Sequence, residues 1–264
     1  MKTPIPIRAI FLLIGLLSLG SCVPDDLVHV PLVAPEEGKE FEDLAVGDYG
    51  LTQEEIDLIQ CILLYECDER YHLALVQQRQ VSSMHPITSQ PILVGKVPEN
   101  TELTLPTGIY SIPAMSVSNF IARDSIFNTL YGRSIEATLS TNSSSVTHKF
   151  YNPEPIRVAP IGFTGEGLPQ GEEILLSWEP DPQNAFGVVC IKLTIQNGEV
   201  TSNDTFITKR LICPDNGSFD IGSVIAQYPD CRFITIRHTR AAAVEFEDVI
   251  FSVDSRDIHR YEVE

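Results

Sequence analysis

The chain is short of the signatures that mark common chemistries. Its 264 residues contain no Cys-x-x-Cys, no Gly-x-Ser-x-Gly and no Ser-x-x-Lys. A zinc knuckle, a thioredoxin-type redox pair, a hydrolase nucleophile elbow and a serine–lysine dyad therefore all go unmarked. The six histidines, His29, His72, His85, His148, His238 and His259, never fall four residues apart, the spacing that lets one helix face grip zinc. Each is expected as a surface or rim residue. Basic residues are half as numerous as acidic ones, 18 against 36, and the formal charge is −18. Nucleic acid is not an expected partner, because phosphate contacts need clustered cations and Arg232, Arg237 and Arg240 stand isolated along one predicted strand. No repeat of fixed period is visible, which disfavours a solenoid or propeller. Gly162 to Gly167 has its glycines in the wrong order for a dinucleotide fingerprint and precedes a predicted strand, so it reads as a connector and no cofactor is expected.

What is present begins at the amino end. Lys2 and Arg8 flank the start of an uncharged run, Ala9 to Leu19, whose eleven residues are too few to span a bilayer. This is the layout of a secretory signal. The run stops at Leu19-Gly20-Ser21-Cys22, followed by Val23, Asp25 and Asp26. Those four residues resemble the bacterial lipobox, and the resemblance implies that residues 1–21 are a lipoprotein signal peptide and that Cys22 carries the lipid. Three acyl chains, usual in such lipoproteins, exceed the two signals that stable anchoring takes. Val23 in place of aspartate implies transfer to the outer membrane. Asp25 and Asp26 resemble the short acidic stretch of surface-exported lipoproteins of Bacteroidota; the rival reading is plain solvation of a tether. Without the signal, 16 basic residues face 36 acidic ones, a charge that repels anionic lipid and suits a body held off the membrane.

Residues 23–48 hold eight acids, one lysine and three prolines, so 22–48 is expected to be an extended acidic tether. Thr52-Gln53-Glu54-Glu55 then matches a capping box, with Ile56, Ile59 and Leu63 at helical spacing behind it. A short helix is expected, with strands from about residue 60; the alternative is a hairpin turning at Asp68-Glu69. A Cys61–Cys67 bridge would need the non-helical form, since six helical residues rise roughly 9 Å. The five cysteines beyond Cys22 are odd in number and leave at least one thiol unpaired.

Beyond this the chain alternates with period two. Ile135, Ala137 and Leu139 oppose Ser134, Glu136 and Thr138; Ile174, Leu176 and Trp178 share a face; Val189, Ile191, Leu193 and Ile195 oppose Cys190, Lys192 and Thr194. Antiparallel sheets wetted on one face follow, with turns at Asp181-Pro182-Gln183-Asn184, Asn197-Gly198 and Asp215-Asn216-Gly217-Ser218. Four prolines and four glycines between Asn152 and Gly171 suggest a connector between two domains, 49–157 and 158–264. From about Glu172, LLSWEPDPQNAFGVVCIKLTI and NGSFDIGSVIAQYPDCRFITIRH resemble the immunoglobulin-like modules of Bacteroidota surface lipoproteins. The fold class expected is thus mainly β: two antiparallel immunoglobulin-like β-sandwich domains with a short N-terminal helix.

Asp215, Asn216, Ser218 and Asp220 offer hard oxygens, but the spacing is not that of an EF-hand loop, and a hairpin turn is the expectation; no metal site is expected. Trp178 shares its face with Ile174 and Leu176 and belongs to a core rather than a sugar platform; Tyr65, Tyr71, Tyr110 and Tyr131 are the better exposed aromatics. With no catalytic residue marked, the expectation is a non-catalytic lipoprotein of the cell envelope acting as a binding or interaction module, its partners the membrane through Cys22 and a protein or glycan. The rivals are a glycan-binding accessory protein of a polysaccharide-uptake system, a pilus-like structural subunit and an envelope hydrolase.

Overall fold

The computed structural model describes residues 38–64, 71–82, 85–98, 100–112, 120–159, 174–197 and 206–263. The signal peptide, Cys22 and most of the tether lie outside them, as do Asp68-Glu69 and Gly162 to Gly167. The described chain is mainly β, in three sheets whose strand pairs are antiparallel but for one.

In chain order the strands are β1 (Lys39–Glu40), β2 (Tyr71–Ser82), β3 (His85–Thr88), β4 (Ile92–Lys96), β5 (Thr101–Leu105), β6 (Gly108–Ile112), β7 (Phe120–Arg123) and β8 (Arg133–Ser140). There follow β9 (Ser145–Asn152), β10 (Val158–Ala159), β11 (Leu175–Trp178), β12 (Val188–Asn197), β13 (Phe206–Pro214), β14 (Ser218–Asp220), β15 (Cys231–Phe246) and β16 (Val249–Glu262). One long helix, α1 (Gln53–Leu64), precedes β2. A nine-stranded sheet runs β1-β13-β12-β15-β16-β2-β4-β7, with β3 also on β2; smaller sheets are β10-β11-β14 and β6-β5-β8-β9.

The long hairpin β15–β16 forms the spine, turning at Glu247 and Asp248, where Glu247 takes a positive φ of 51°. The other side of β16 pairs with β2 in parallel, from Val249 opposite Tyr71 to His259 opposite Val81. That pairing corrects the two-domain expectation. Strand β2 from 49–157 and strand β16 from 158–264 are neighbours in one sheet, and residues from Pro35 onward form one compact unit. The segment expected to connect two domains instead buries Ile156 and Val158 in the interior.

Alternation decides which side chains each layer receives. On one face of the large sheet, Val189, Ile191, Leu193 and Ile195 of β12 meet Leu176, Trp178 and Phe219 of the three-stranded sheet. Farther along, Leu73, Leu75, Phe251 and Val253 meet Leu103, Ile135, Ala137 and Leu139 of the four-stranded sheet. The opposite face receives α1, whose Ile56, Ile59 and Ile62 pack against Val188, Ile212 and Ile250. The helix begins as the capping box requires: Glu55 N–H donates to Thr52 Oγ1 at 3.2 Å, and the Glu55 carboxylate accepts from Thr52 N–H at 2.8 Å. It runs to Leu64, past the point near residue 60 where strands were expected, because its apolar face still has sheet to cover. Strand β16, paired on both edges and covered on both faces, is buried along most of its length.

Candidate functional site

The odd-numbered residues of β16 change character along the strand. Val249, Phe251 and Val253 sit in one apolar core and Tyr261 in the other. Between them Ser255, Asp257 and His259 are fully buried and polar. The cause is the chain segment between β9 and β10, which crosses this face with no strand to pair with. Its backbone groups must be satisfied in the interior, and side chains of β16 and of the turn at Asp181 do so. Ile156 N–H donates to Ser255 Oγ at 3.0 Å, Val158 N–H to Asp257 Oδ2 at 2.7 Å, and Glu154 N–H to Asp181 Oδ2 at 2.8 Å.

Asp257 is the hub. Arg79, its direct neighbour on β2, forks onto both carboxylate oxygens, with Nε at 2.6 Å from Oδ1, and also donates to Val158 O at 3.0 Å. His259 Nε2 lies 3.2 Å from Asp257 Oδ2, and Tyr261 Oη lies 3.2 Å from His259 Nδ1. An ionised carboxylate only accepts, so in the neutral imidazole Nε2 carries the proton and Nδ1 accepts from the Tyr261 hydroxyl. Burial alone would raise the Asp257 pKa, but hydrogen bonds from His259, Arg79 and Val158 N–H outweigh it and hold the carboxyl below its ordinary range.

A second buried ion pair stands on β15. Arg240, about 1% exposed, donates to Asp215 Oδ1 at 2.7 Å, Glu179 O at 2.8 Å and Glu154 O at 3.1 Å. Asp215 also accepts from Trp178 Nε1 and from Asn184 Nδ2, both at 2.9 Å. Between the two pairs lies His238, whose ring is 6.1 Å from that of His259 and 6.0 Å from that of Trp178. Neither of its ring nitrogens has a hydrogen-bond partner among the described residues. Burial, reinforced by the neighbouring His259, pulls its pKa down to about 3, so it is neutral at physiological pH.

Carboxylate, imidazole and phenol in a row could pass a proton, but this row is buried, Asp257, His259 and Tyr261 alike. Two depressions lined by described residues are small. One lined by Pro98, Phe246 and Glu247 among others holds about 40 Å³, and another at Cys190, Lys192 and Arg237 about 10 Å³. Ligand pockets are roughly 300–1,000 Å³. The seam is chemistry turned inward, joining two apolar cores and the crossing segment.

The structure sorts the other residues singled out in the sequence. Trp178 is in the core. His238 and His259 are interior, not surface or rim, because β15 and β16 are central strands of the large sheet and this face of them is covered. Tyr131 is also buried: its hydroxyl donates to Asp254 O at 3.0 Å, and burial raises its pKa well above normal, so it is no exposed aromatic. Tyr71 and Tyr110 are half-buried against the second core; Tyr65 lies outside the described residues. Asp215 and Asp220 turn inward, Asp220 accepting from Ile174 N–H at 2.9 Å and Gly222 N–H at 2.8 Å, while Gly217 makes the turn at φ 97°. Cys61 is disulfide-bonded, its partner outside the described residues, and Cys190, Cys213 and Cys231 are free thiols. Three or more metal-ligating side chains do not come together anywhere among the described residues. Missed from the sequence were Arg79, Asp257, Ser255 and Arg240, whose one signal was charge placed inside an alternating run. No protein-family model, curated protein or solved structure matches the chain.

Proposed function

We propose that the protein is a non-catalytic lipoprotein of the bacterial outer membrane, anchored through Cys22 and carrying its β body as a binding or interaction module at the cell surface. The observation that carries the reading is the sequence Leu19-Gly20-Ser21-Cys22 at the end of an eleven-residue apolar run preceded by Lys2 and Arg8. Support from the body is indirect. Among the described residues the buried Asp257 and Asp215 carboxylates are each held by an arginine, Arg79 and Arg240, an arrangement in keeping with a body that meets partners at its surface. The kinship with immunoglobulin-like modules belongs to the same proposal; the face-to-face packing of β10-β11-β14 on β12, β13 and β15 is in keeping with it.

Mass spectrometry of the amino-terminal peptide of the protein extracted from membranes tests the anchor. The expected product begins at Cys22 and carries acyl mass, and Cys22→Ala is expected to leave the detergent phase for the aqueous one. An unmodified thiol at position 22 in the native product overturns the proposal. Protease treatment of whole cells tests display, which predicts loss of the body from intact cells.

A further inference from the structure

Four of the six cysteines have a defined state in the structure. Cys61, fully buried in the core that α1 shares with Val188, Ile212 and Ile250, is disulfide-bonded, while Cys190, Cys213 and Cys231 are free thiols. The partner of Cys61 is therefore Cys22 or Cys67, the two that lie outside the described residues. Three considerations choose between them. A lipidated Cys22 has no thiol left to pair. Cys67 is 6 positions away along the chain and Cys22 is 39, and closing the shorter loop is favoured on the order of tenfold by chain entropy. Finally, α1 ends at Leu64 and β2 begins at Tyr71, whose N–H donates to Asp248 O at 2.8 Å. The helical rise that would hold residues six apart about 9 Å from each other, beyond the reach of a disulfide, thus does not run the whole way from Cys61 to Cys67.

We infer that Cys61 and Cys67 are joined by a disulfide that staples the end of α1 to the approach to β2, and that the bond is made after the chain has left the cytoplasm. The inference rests on the proposal of a lipidated Cys22 and adds a second modification, one that persists in an oxidising compartment such as the periplasm. The oxidant is the disulfide of an envelope thiol–disulfide oxidoreductase. The Cys67 thiolate attacks it and forms a mixed disulfide, with one oxidoreductase thiolate leaving; the Cys61 thiolate then attacks the Cys67 sulfur, closing the bridge and releasing the second. Two thiol protons pass to solvent, and two electrons reduce the oxidoreductase from disulfide to dithiol. Cys61 is closed off once α1 lies on the sheet, so this exchange precedes docking of the helix, and afterwards the same burial shields the bond from reductant. Cys190 borders the same core as Cys61 and stays free, so burial beside α1 does not by itself select a partner.

The test is disulfide mapping of the full chain extracted from membranes, denatured without reductant in the presence of an alkylating agent. Glu66 lies between the two cysteines, so a glutamate-specific protease cuts the chain between them. The fragments on either side of Glu66 are expected to stay joined until reductant is added, with Cys190, Cys213 and Cys231 alkylated throughout. Cys67→Ser is expected to melt about 5–10 °C lower than the parent, the effect of opening so short a loop. Reductant present during the melt should bring the parent down to the variant and leave the variant where it is. The mapping needs no variant and decides even where Cys67→Ser does not fold. Alkylation of Cys67 without reductant overturns the inference, as does a parent that melts alike with and without reductant. Cys61 bridged to Cys22 overturns it together with the anchor proposal. An acylated Cys22 beside an unbridged Cys67 sinks the staple alone, and an unmodified Cys22 thiol beside an intact Cys61–Cys67 bridge sinks the anchor alone.

Discussion

Asp257→Ala is the substitution whose cost the structure defines best. It removes a carboxylate with no solvent exposure and strands three donors: the Arg79 guanidinium, whose side chain is 17% exposed, the buried Val158 N–H and His259 Nε2. Breaking one member of a buried ion pair costs about 3–5 kcal/mol, because the partner charge remains without compensation. Arg79 can relax part-way towards water, while the Val158 N–H cannot, and an orphaned buried donor alone costs about 1–3 kcal/mol. A loss of about 3–4 kcal/mol is expected, a large share of the 5–15 kcal/mol typical of a folded domain. The assay is urea unfolding followed by fluorescence of Trp178, the sole tryptophan, which sits in the core beside the seam. Arg79→Met with Asp257→Leu removes both charges, and this double variant is expected to lie closer to the parent than Asp257→Ala does, with a coupling of about 1–3 kcal/mol between the sites. A cost below about 1 kcal/mol for Asp257→Ala, or strictly additive effects, would refute the view that this pair is the polar keystone of the seam.

Acid should destabilise the protein in a defined window. The folded-state pKa of His238 is about 3 against roughly 6.5 unfolded, so the unfolded state takes up the proton first; stability is full above about pH 6.5 and falls as pH drops towards 3, by at most about 4–5 kcal/mol. His72, also depressed chiefly by burial, adds to the slope, and His238→Leu is expected to flatten it in urea titrations between pH 7 and 4. Gly95→Ala should fold poorly or lose β2–β4 pairing by amide exchange, because Gly95 has φ 150° and an added Cβ would stand 2.3 Å from His72 O. Thr52→Ala, which removes one arm of the capping box, is expected to cost about 1 kcal/mol in the same unfolding assay. The native thiols of Cys190 and Cys213 should resist alkylation at pH 8 and react on unfolding, since burial raises both pKa values and keeps the thiolate scarce.

The legible parts of the fold are those where one local rule acts alone. The capping box placed the start of α1, and alternation assigned faces correctly in β8, β11 and β12, each of which has one face on an apolar core. The thiol count behaved the same way: an odd number required a free cysteine, and three are free. Long-range pairing was not legible. Nothing in YHLALVQQRQ or in VIFSVDSRDIHRYE announces that they lie side by side in parallel, and nothing in NPEPIRVA announces that Ile156 and Val158 are buried.

Strand β16 shows why the site was the least legible part. Read alone, SVDSRDIHR has five charged or imidazole side chains in nine residues and suggests a wet surface, because polar groups are costly to bury without partners. The partners exist, and most come from elsewhere in the chain: Arg79 from β2 and the backbone N–H groups of Ile156 and Val158, while Arg256 of the same strand turns to Asp254 on the other face. The cations of β12, β13 and β15 follow the same logic. Arg237 looked isolated because its neighbours in space, Lys192 and Arg210, stand 45 and 27 positions earlier in the chain. Charge in this protein is organised across strands rather than along them, and a cross-strand row of cations becomes visible only once the register of β12, β13 and β15 is known.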